Sequence, residues 1–504
     1  MGLLQNIIAW RHARYAAGQS NQSPSGFRTG RICRFEQVEH RWLLSATPIQ
    51  IGAVYFEDSI GADNSGDVFE VTWEGGAPGT QLAELTIETD KAGDGLNAVD
   101  TFFDSAPGGL GVSGSVPLQV LESSGFTVVG VSLSDGGTTL TFTFSGFDPG
   151  EKLRFSVDVD EKGFLSDNPV AEGAEFEGSQ LIGTFTAPHY YDQTGSDIFW
   201  DAYDTKLSAS GLDLPPDNYG TSGEGSREDQ TAAAIFQMQQ TPLPISVSGT
   251  VFEDIDLDNS QDAGDPGIAG VTLKLQQLVG GQYADTGMTT VTDADGSYRF
   301  DELLPGTYRI VETQPSGYYS VGAAAGNVGG AVRGLVVDAD TIGEIGLLGG
   351  EDSVENDFAE AAPAELSGHV YHDADNDGLF DSGESGIAGA TVRAVRVLPD
   401  GSTAETVTTT SAADGSWVAS NLRPGRWQVV EVTPPGYLDG LDAAGNAGGT
   451  AQNPGDSITG IQLLSGQVGE NYNFGELVPS SIAGRVIADM DGNCIFTAGD
   501  IPLA

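Results

Sequence analysis

Residues 373–384, DADNDGLFDSGE, place Asp373, Asp375, Asp377, Asp381 and Glu384 at positions 1, 3, 5, 9 and 12 of a twelve-residue window that holds no Lys or Arg. Carboxylates held ~4 Å apart repel by about 1 kcal/mol per pair in water and by about 4 kcal/mol at an effective dielectric of 20. The cluster therefore calls for something positive among its members. Its spacing suits a hard cation: side chains at positions 1, 3 and 5 converge on one ion, Gly378 permits a sharp turn, and Leu379 offers its carbonyl. Asp381 acts through a water, and Glu384 is long enough to bind with both oxygens. Roughly six to eight oxygens describe Ca²⁺, whereas Zn²⁺ prefers nitrogen and sulfur.

The window recurs. SGTVFEDIDLDNSQDAGDPGIAGVTLKL, from Ser248, aligns without a gap on SGHVYHDADNDGLFDSGESGIAGATVRA, from Ser367, at an offset of 119. The first copy supplies Asp254, Asp256, Asp258, Asp262 and Asp265, with Asn259 in the glycine place. Asn tolerates a positive φ, so the turn is expected to survive. Asp265 is one methylene shorter than Glu384, which weakens two-oxygen binding. A third copy opens at IAGRVIADMDGNCIFTAGDIPLA and offers Asp489, Asp491, Asn493 and Asp500, but with Cys494 in the glycine place and Thr497 at position 9. It is the weakest of the three. The alternative reading is that Asp and Gly simply mark surface turns, as in TDADGSY; the repetition argues against it.

The spacing is that of an EF-hand calcium loop, yet the flanks LSGHVYH and GIAGATVRAV alternate like strands where an EF-hand has helices. The loop is thus expected to be grafted between strands as a staple, without the helix pair that opens in calcium sensors. Within each repeat, YRFDELLPGTYRIVE reads as two alternating strands around a Leu-Pro-Gly turn. About seven short strands in ~115 residues indicate a β-sandwich. Upstream, VFEVTW, LAELTIET, FTVVGVSL, TTLTFTFSGF and KLRFSVDVDE also read as strands.

The expected fold is all-β: tandem β-sandwiches. Residues 1–47 form a basic leader, 48–245 a larger N-terminal sandwich, 246–362 and 363–478 two whole repeats, and 479–504 the start of a third. A packed domain does not end on its second strand, so the sequence is expected to belong to a longer protein. Only AAPAE and VPSS separate neighbouring repeats, and Pro stiffens both joints.

Charge limits the partners. Asp plus Glu number 72 against 21 Lys plus Arg, a formal net charge of -51, and six of the Arg lie within the first 46 residues. Such a surface repels phosphate backbones and anionic lipid, so nucleic acid is not expected as a partner and a cation is. With only Cys33 and Cys494, disulfides do not hold the chain together. There is no apolar run long enough for a membrane-spanning helix.

The acidic loop after the first strand, G-x-Y-x-F-x-x-L-x-P-G-x-Y and V-E-x-x-P-x-G-Y occur in fixed order, and together they resemble the SdrD B-like repeats of serine-aspartate repeat surface proteins, a branch of the Cna-B group. RFEQVEHRWLLSA, residues 34–46, resembles a motif near the start of many large bacterial surface proteins. The resemblance implies a transthyretin-like or immunoglobulin-like sandwich and an extracellular, cell-surface setting. It implies an adhesive role toward an extracellular protein or glycan.

A Lys to Asn isopeptide bond is known in the Cna-B group, and Glu312 and Glu431 match the glutamate that promotes it. The first strands contain no Lys, however, and the second repeat has none at all, so the bond is not expected. The motifs H-E-x-x-H, G-x-S-x-G and G-x-x-x-x-G-K do not occur. A non-enzymatic surface protein is the main reading; accessory modules of a longer secreted hydrolase, as spacers or carbohydrate binders, are the alternative. His189, among acids and aromatics, reads as ordinary loop packing, with a glycan-binding surface or a further calcium loop as the alternatives.

Overall fold

A computed structural model describes residues 47–56, 66–108, 115–161, 176–200 and 231–503. Residues 1–46 of the leader, with its surface-protein-like motif and Cys33, lie outside the described residues, and Thr47 already belongs to a strand of the N-terminal sandwich. Among the described residues no helix is long and apolar enough to cross a membrane.

Among the described residues, three separate apolar cores lie along the chain. The first belongs to two facing sheets. One runs Thr231–Met238, Thr47–Phe56, Asp67–Gly76, Lys152–Glu161, Thr101–Asp104; the other runs Gln193–Ile198, Gln180–Thr186, Gln81–Glu88, Thr139–Ser145, Thr127–Leu133. Between them Tyr55, Phe69, Trp73, Phe142, Phe155 and Phe176 are fully buried, and Phe69 stacks on Phe155 with ring centroids 4.7 Å apart. All five strands expected here form. Thr47–Phe56, which no alternation announced, is buried on both faces over Ile51–Phe56 and pairs with a strand along each edge.

Each repeat is a smaller sandwich of one plan. In the first, Ser297–Leu303, Ile245–Glu253, Asp357–Ala361 and Tyr319–Ala324 face Gln282–Val291, Thr272–Val279, Gly306–Glu312, Thr341–Leu347 and Leu335–Asp338. In the second, Ser416–Leu422, Ala364–His372, Asn473–Leu477 and Leu438–Ala443 face Thr403–Thr410, Thr391–Val397, Gly425–Val432, Ser457–Leu463 and Thr450–Gln452. The strand that enters each acidic loop runs parallel to the last strand of its own repeat, Val370 opposite Phe474 and Val251 opposite Phe358.

The two strands of YRFDELLPGTYRIVE do not pair with each other. Ser297–Leu303 joins the sheet of the loop-bearing strand and Gly306–Glu312 joins the opposite sheet, so the Leu-Pro-Gly stretch crosses between sheets. Glu302, with φ 55°, turns the corner, and Asn421 repeats it in the second repeat with φ 58°. Apolar alternation puts Tyr298, Phe300, Tyr308 and Ile310 into one core from both sides; the second core has Trp417 and Trp427 in two of these places. Truncating Trp427 to Ala should cost about 3–5 kcal/mol. Denaturant unfolding of the chain would read this as a loss confined to one transition.

Candidate metal centres

Each acidic loop is built on the carboxylate at its first position. Asp373 leaves the strand Ala364–His372 fully buried, because its own amide is tied to the carbonyl of Glu476 on the last strand, 3.0 Å away. Its carboxylate accepts the N–H of Asp377 at 3.2 Å and of Gly378 at 2.9 Å. Asp254 does the same in the first repeat, accepting from Leu257, Asp258 and Asn259 at 2.7, 3.2 and 2.8 Å. In the third loop Asp489 accepts from Gly492 at 2.7 Å and Cys494 at 2.6 Å. The sixth position is left-handed in all three: Asn259 φ 64°, Gly378 φ 77°, Cys494 φ 60°. Even Cys494, the least suited residue, keeps the turn.

The acid at the twelfth position closes the loop. Glu384 accepts the N–H of Ala374 at 2.8 Å and of Asp381 at 2.9 Å; Asp265 takes Ile255 and Asp262 at 3.1 and 2.9 Å; Asp500 takes Met490 and Thr497 at 3.0 and 2.7 Å. A carboxylate oxygen that accepts one N–H keeps a lone pair, so these bonds orient ligands and leave them usable.

Oxygens of Asp373, Asp375 and Glu384 lie within 4.8 Å of one another, as do those of Asp254, Asp256 and Asp258. Asp377 and Asp258 spend one oxygen on the N–H two residues on, 2.8 Å to Leu379 and 2.7 Å to Ser260. The Asp377 charge, followed by lost hydration, raises the Asp375 carboxyl, and lost hydration followed by the charges of Asp258, Asp254 and Asp265 raises Asp256. These are acids held together against their own repulsion, the arrangement a divalent cation relieves. Backbone amides hold Asp489 and Asp500 below the usual carboxylate range, and Asn493 donates 2.9 Å to Asp491.

A fourth loop of this construction lies in the N-terminal sandwich. Asp90 accepts from Gly93, Asp94 and Gly95, and Asp100 closes the turn by accepting Lys91 and Asn97 at 3.0 and 2.8 Å. DKAGDGLNAVD is one residue short of the twelve-residue spacing and has Ala92 in the third place, so the pattern passes over it.

Buried glutamates form a second set. Glu312 is the last residue of its strand and Glu431 the last but one of the equivalent strand Gly425–Val432, each with its amide bonded at 2.9 Å to the carbonyl of Asp340 or Asp456. Glu360 and Glu476 face them from the opposite sheet. Burial first, then the charges of Glu360 and Asp340, pushes the Glu312 carboxyl up to about 9. Burial and the charges of Glu476, Asp456 and Asp442 push Glu431 to about 9 as well. Each of these acids has a folded value above its unfolded one, so its stabilising contribution is fully present below the unfolded value near 4.5 and is lost as pH rises through about 9. The metal-free chain should therefore melt at progressively lower temperature from about pH 5 to about pH 9, which calorimetry in chelator would record.

Lys274 lies on the neighbouring strand beside Leu273, which pairs with Glu312, and its side chain is exposed while Glu312 is buried. His189 binds a joint: its Nδ1 is 2.7 Å from the carbonyl of Gly349 in the first repeat, and its own carbonyl accepts Leu243 N–H at 3.0 Å.

Residues 245–332 and 364–475 match the family model described as the SdrD B-like domain. Serine-aspartate repeat-containing protein D of Staphylococcus aureus (strain Newman) is 30% identical over 250 residues, covering 48% of this chain and 18% of that protein. Serine-aspartate repeat-containing protein F of Staphylococcus epidermidis (strain ATCC 12228 / FDA PCI 1200) is 28% identical over 248 residues, covering 49% and 14%. The chain thus spans less than a fifth of the length of these relatives. Among solved structures, shaft pilin SpaA from Lactobacillus rhamnosus GG is 12% identical and covers 48% of this chain and 99% of that one, with a TM-score of 0.21. By motif order, sandwich plan and family match, the two repeats are SdrD B-like domains.

Proposed function

We propose that this is a non-enzymatic structural protein of the bacterial cell surface, in which calcium-stapled SdrD B-like repeats form a stiff stem for an N-terminal sandwich that meets an extracellular protein or glycan. The observation that carries this reading is the repeated loop frame. A buried aspartate organises the amides of a turn, while further acids crowd around it, at the same place in both whole repeats. The relatives by repeat are serine-aspartate repeat proteins, and the setting is accordingly extracellular.

Stiffness has its own support at the joint between repeats. The Arg423 guanidinium lies 4.8 Å from the centre of the Tyr319 ring and donates 2.8 Å to the carbonyl of Ser320, and Tyr319 Oη donates 2.8 Å to the carbonyl of Asn421. Ser465 of the second repeat donates 2.6 Å to Glu253 and, through its N–H, 3.2 Å to the carbonyl of Ile255, the second residue of the first acidic loop. An ordered first loop therefore supports the joint as well as its own repeat.

Small-angle X-ray scattering of the full chain tests this. The expected result is an extended, narrow distance distribution in calcium that broadens in chelator; the same distribution in both would refute the stapled stem. Arg423→Ala should broaden it in calcium too, while leaving the melting temperature within a few degrees, because a single cation–π contact is worth only about 0.5–1 kcal/mol at exposed sites.

A further inference from the structure

Each repeat carries a groove on the outer face of the sheet that bears its acidic loop, and the two grooves differ in chemistry. In the second repeat Leu366, Val370, Trp417 and Ala419 belong to the core, so alternation turns Ser367, His369, Ser416 and Val418 outward. Ser367 lies opposite Val418, and His369 opposite Ser416. With Glu470 and Asn471 they line a groove of about 550 Å³. The equivalent groove of the first repeat, about 460 Å³, is lined by Ser248, Thr250, Gln261, Ser297 and Arg299 among others.

The offset of 119 residues puts Val418 in the place of Arg299, His369 in that of Thr250, Phe380 in that of Gln261 and Leu379 in that of Ser260. Arg299 is paired with Asp301 and Asp352, 2.5 and 3.5 Å away, so the charge of the first groove is already met. In the second repeat Phe380 reaches back from the acidic loop to the groove edge and stacks on His369, with ring centroids 4.7 Å apart. Val418, Leu379 and Phe380 nevertheless stay 47%, 58% and 36% exposed. The first repeat folds on the same plan with polar residues at all these places. The sandwich therefore does not require the apolar group, and grouped exposed apolar side chains mark a binding surface.

The groups around this patch select the ligand. A sugar ring has an apolar C–H face and a rim of hydroxyls that both donate and accept. Phe380 and Val418 match the face; the His369 imidazole, the Glu470 carboxylate and the Asn471 amide supply acceptors and donors for the rim. Among the described residues no Lys or Arg lines the groove, and a net charge of -51 repels sulfated or sialylated chains. The strand Ala364–His372 under the groove is paired along both edges, so it offers an extended peptide no unpaired backbone.

We propose that the second repeat binds an uncharged oligosaccharide in this groove, with Phe380 and Val418 against a sugar-ring face and His369, Glu470 and Asn471 on its hydroxyls. The first repeat lacks the site. The second repeat is thus a binder as well as part of the stem, apart from whatever the N-terminal sandwich meets.

The full chain, fluorescently labelled and applied in calcium to an array of neutral, sialylated and sulfated glycans, tests the proposal. Neutral glycans should give signal. The swap variant His369→Thr/Phe380→Gln/Val418→Arg installs residues that the first repeat accommodates at the same places, and it should lose that signal at an unchanged melting temperature. Glu470→Ala alters an exposed side chain; it should weaken the signal, and it decides the matter if the swap does not fold. A folded swap variant that binds as before would place the glycan elsewhere, on the N-terminal sandwich for example, and overturn the proposal. Signal confined to charged glycans, or none from the unaltered chain, would overturn it as well.

Discussion

Asp373→Asn is expected to abolish most of the calcium-induced rise in the melting temperature of the second repeat while lowering its melting in chelator by less than Asp373→Ala does. The carboxylate of Asp373 has two tasks. It accepts the amides of Asp377 and Gly378, which fixes the turn with or without an ion, and it supplies the first ligand. The two N–H groups reach different oxygens, so an asparagine keeps one of these bonds, turns its NH₂ toward the other N–H, and has no charge for a cation. Asp373→Ala removes both functions and strands buried amides, at about 1–3 kcal/mol for each unsatisfied group, so it should lower the melting temperature in chelator as well. With micromolar affinity in millimolar calcium, one ion stabilises its repeat by ~4 kcal/mol, a large share of a small domain's stability. Equal calcium dependence in Asp373→Asn and the unaltered chain would mean that the loop holds no ion.

Gly368→Ala is expected to unfold the second repeat in calcium and in chelator alike. The strand Ala364–His372 lies against the segment leading into the last strand so closely that a Cβ on Gly368 would sit 1.8 Å from the carbonyl oxygen and 2.5 Å from the carbonyl carbon of Tyr472. Both contacts are backbone, held by the bond from Tyr472 N–H to the carbonyl of Ser367. Neither can yield as a flexible side chain would. Overpacking ordinarily costs about 1–3 kcal/mol; separating two paired backbones should exceed that. Gly249 meets the carbonyl of Asn356 at the same 1.8 Å, so the equivalent change should unfold the first repeat. A calorimetric trace missing one transition, the other unmoved, is the predicted readout.

These two positions show how much of the molecule was legible in its residues. The turns of the acidic loops were, because Asp, Gly and Asn stand at fixed spacing and Asn259 and Gly378 take the left-handed conformation assigned to them. The repeat strands were, because Tyr298, Phe300, Tyr308 and Ile310 alternate toward one core. That the two strands belong to opposite sheets was not, since alternation states which side chains are buried and not which backbone is the neighbour. Thr47–Phe56 lacked alternation because it is covered on both faces. The loop Asp90–Asp100 escaped because deleting one residue breaks the pattern while the hydrogen-bond frame tolerates it. Glu312, Asp340 and Glu360 stand far apart in the chain and meet only when two sheets close.

The central claim is that ions in the acidic loops hold the repeats folded. Scanning calorimetry of the full chain in about 1 mM calcium and in excess chelator tests it most directly, since stabilisation of each repeat by ~4 kcal/mol should raise its transition by on the order of 10 °C. Superimposable traces under the two conditions would contradict the account.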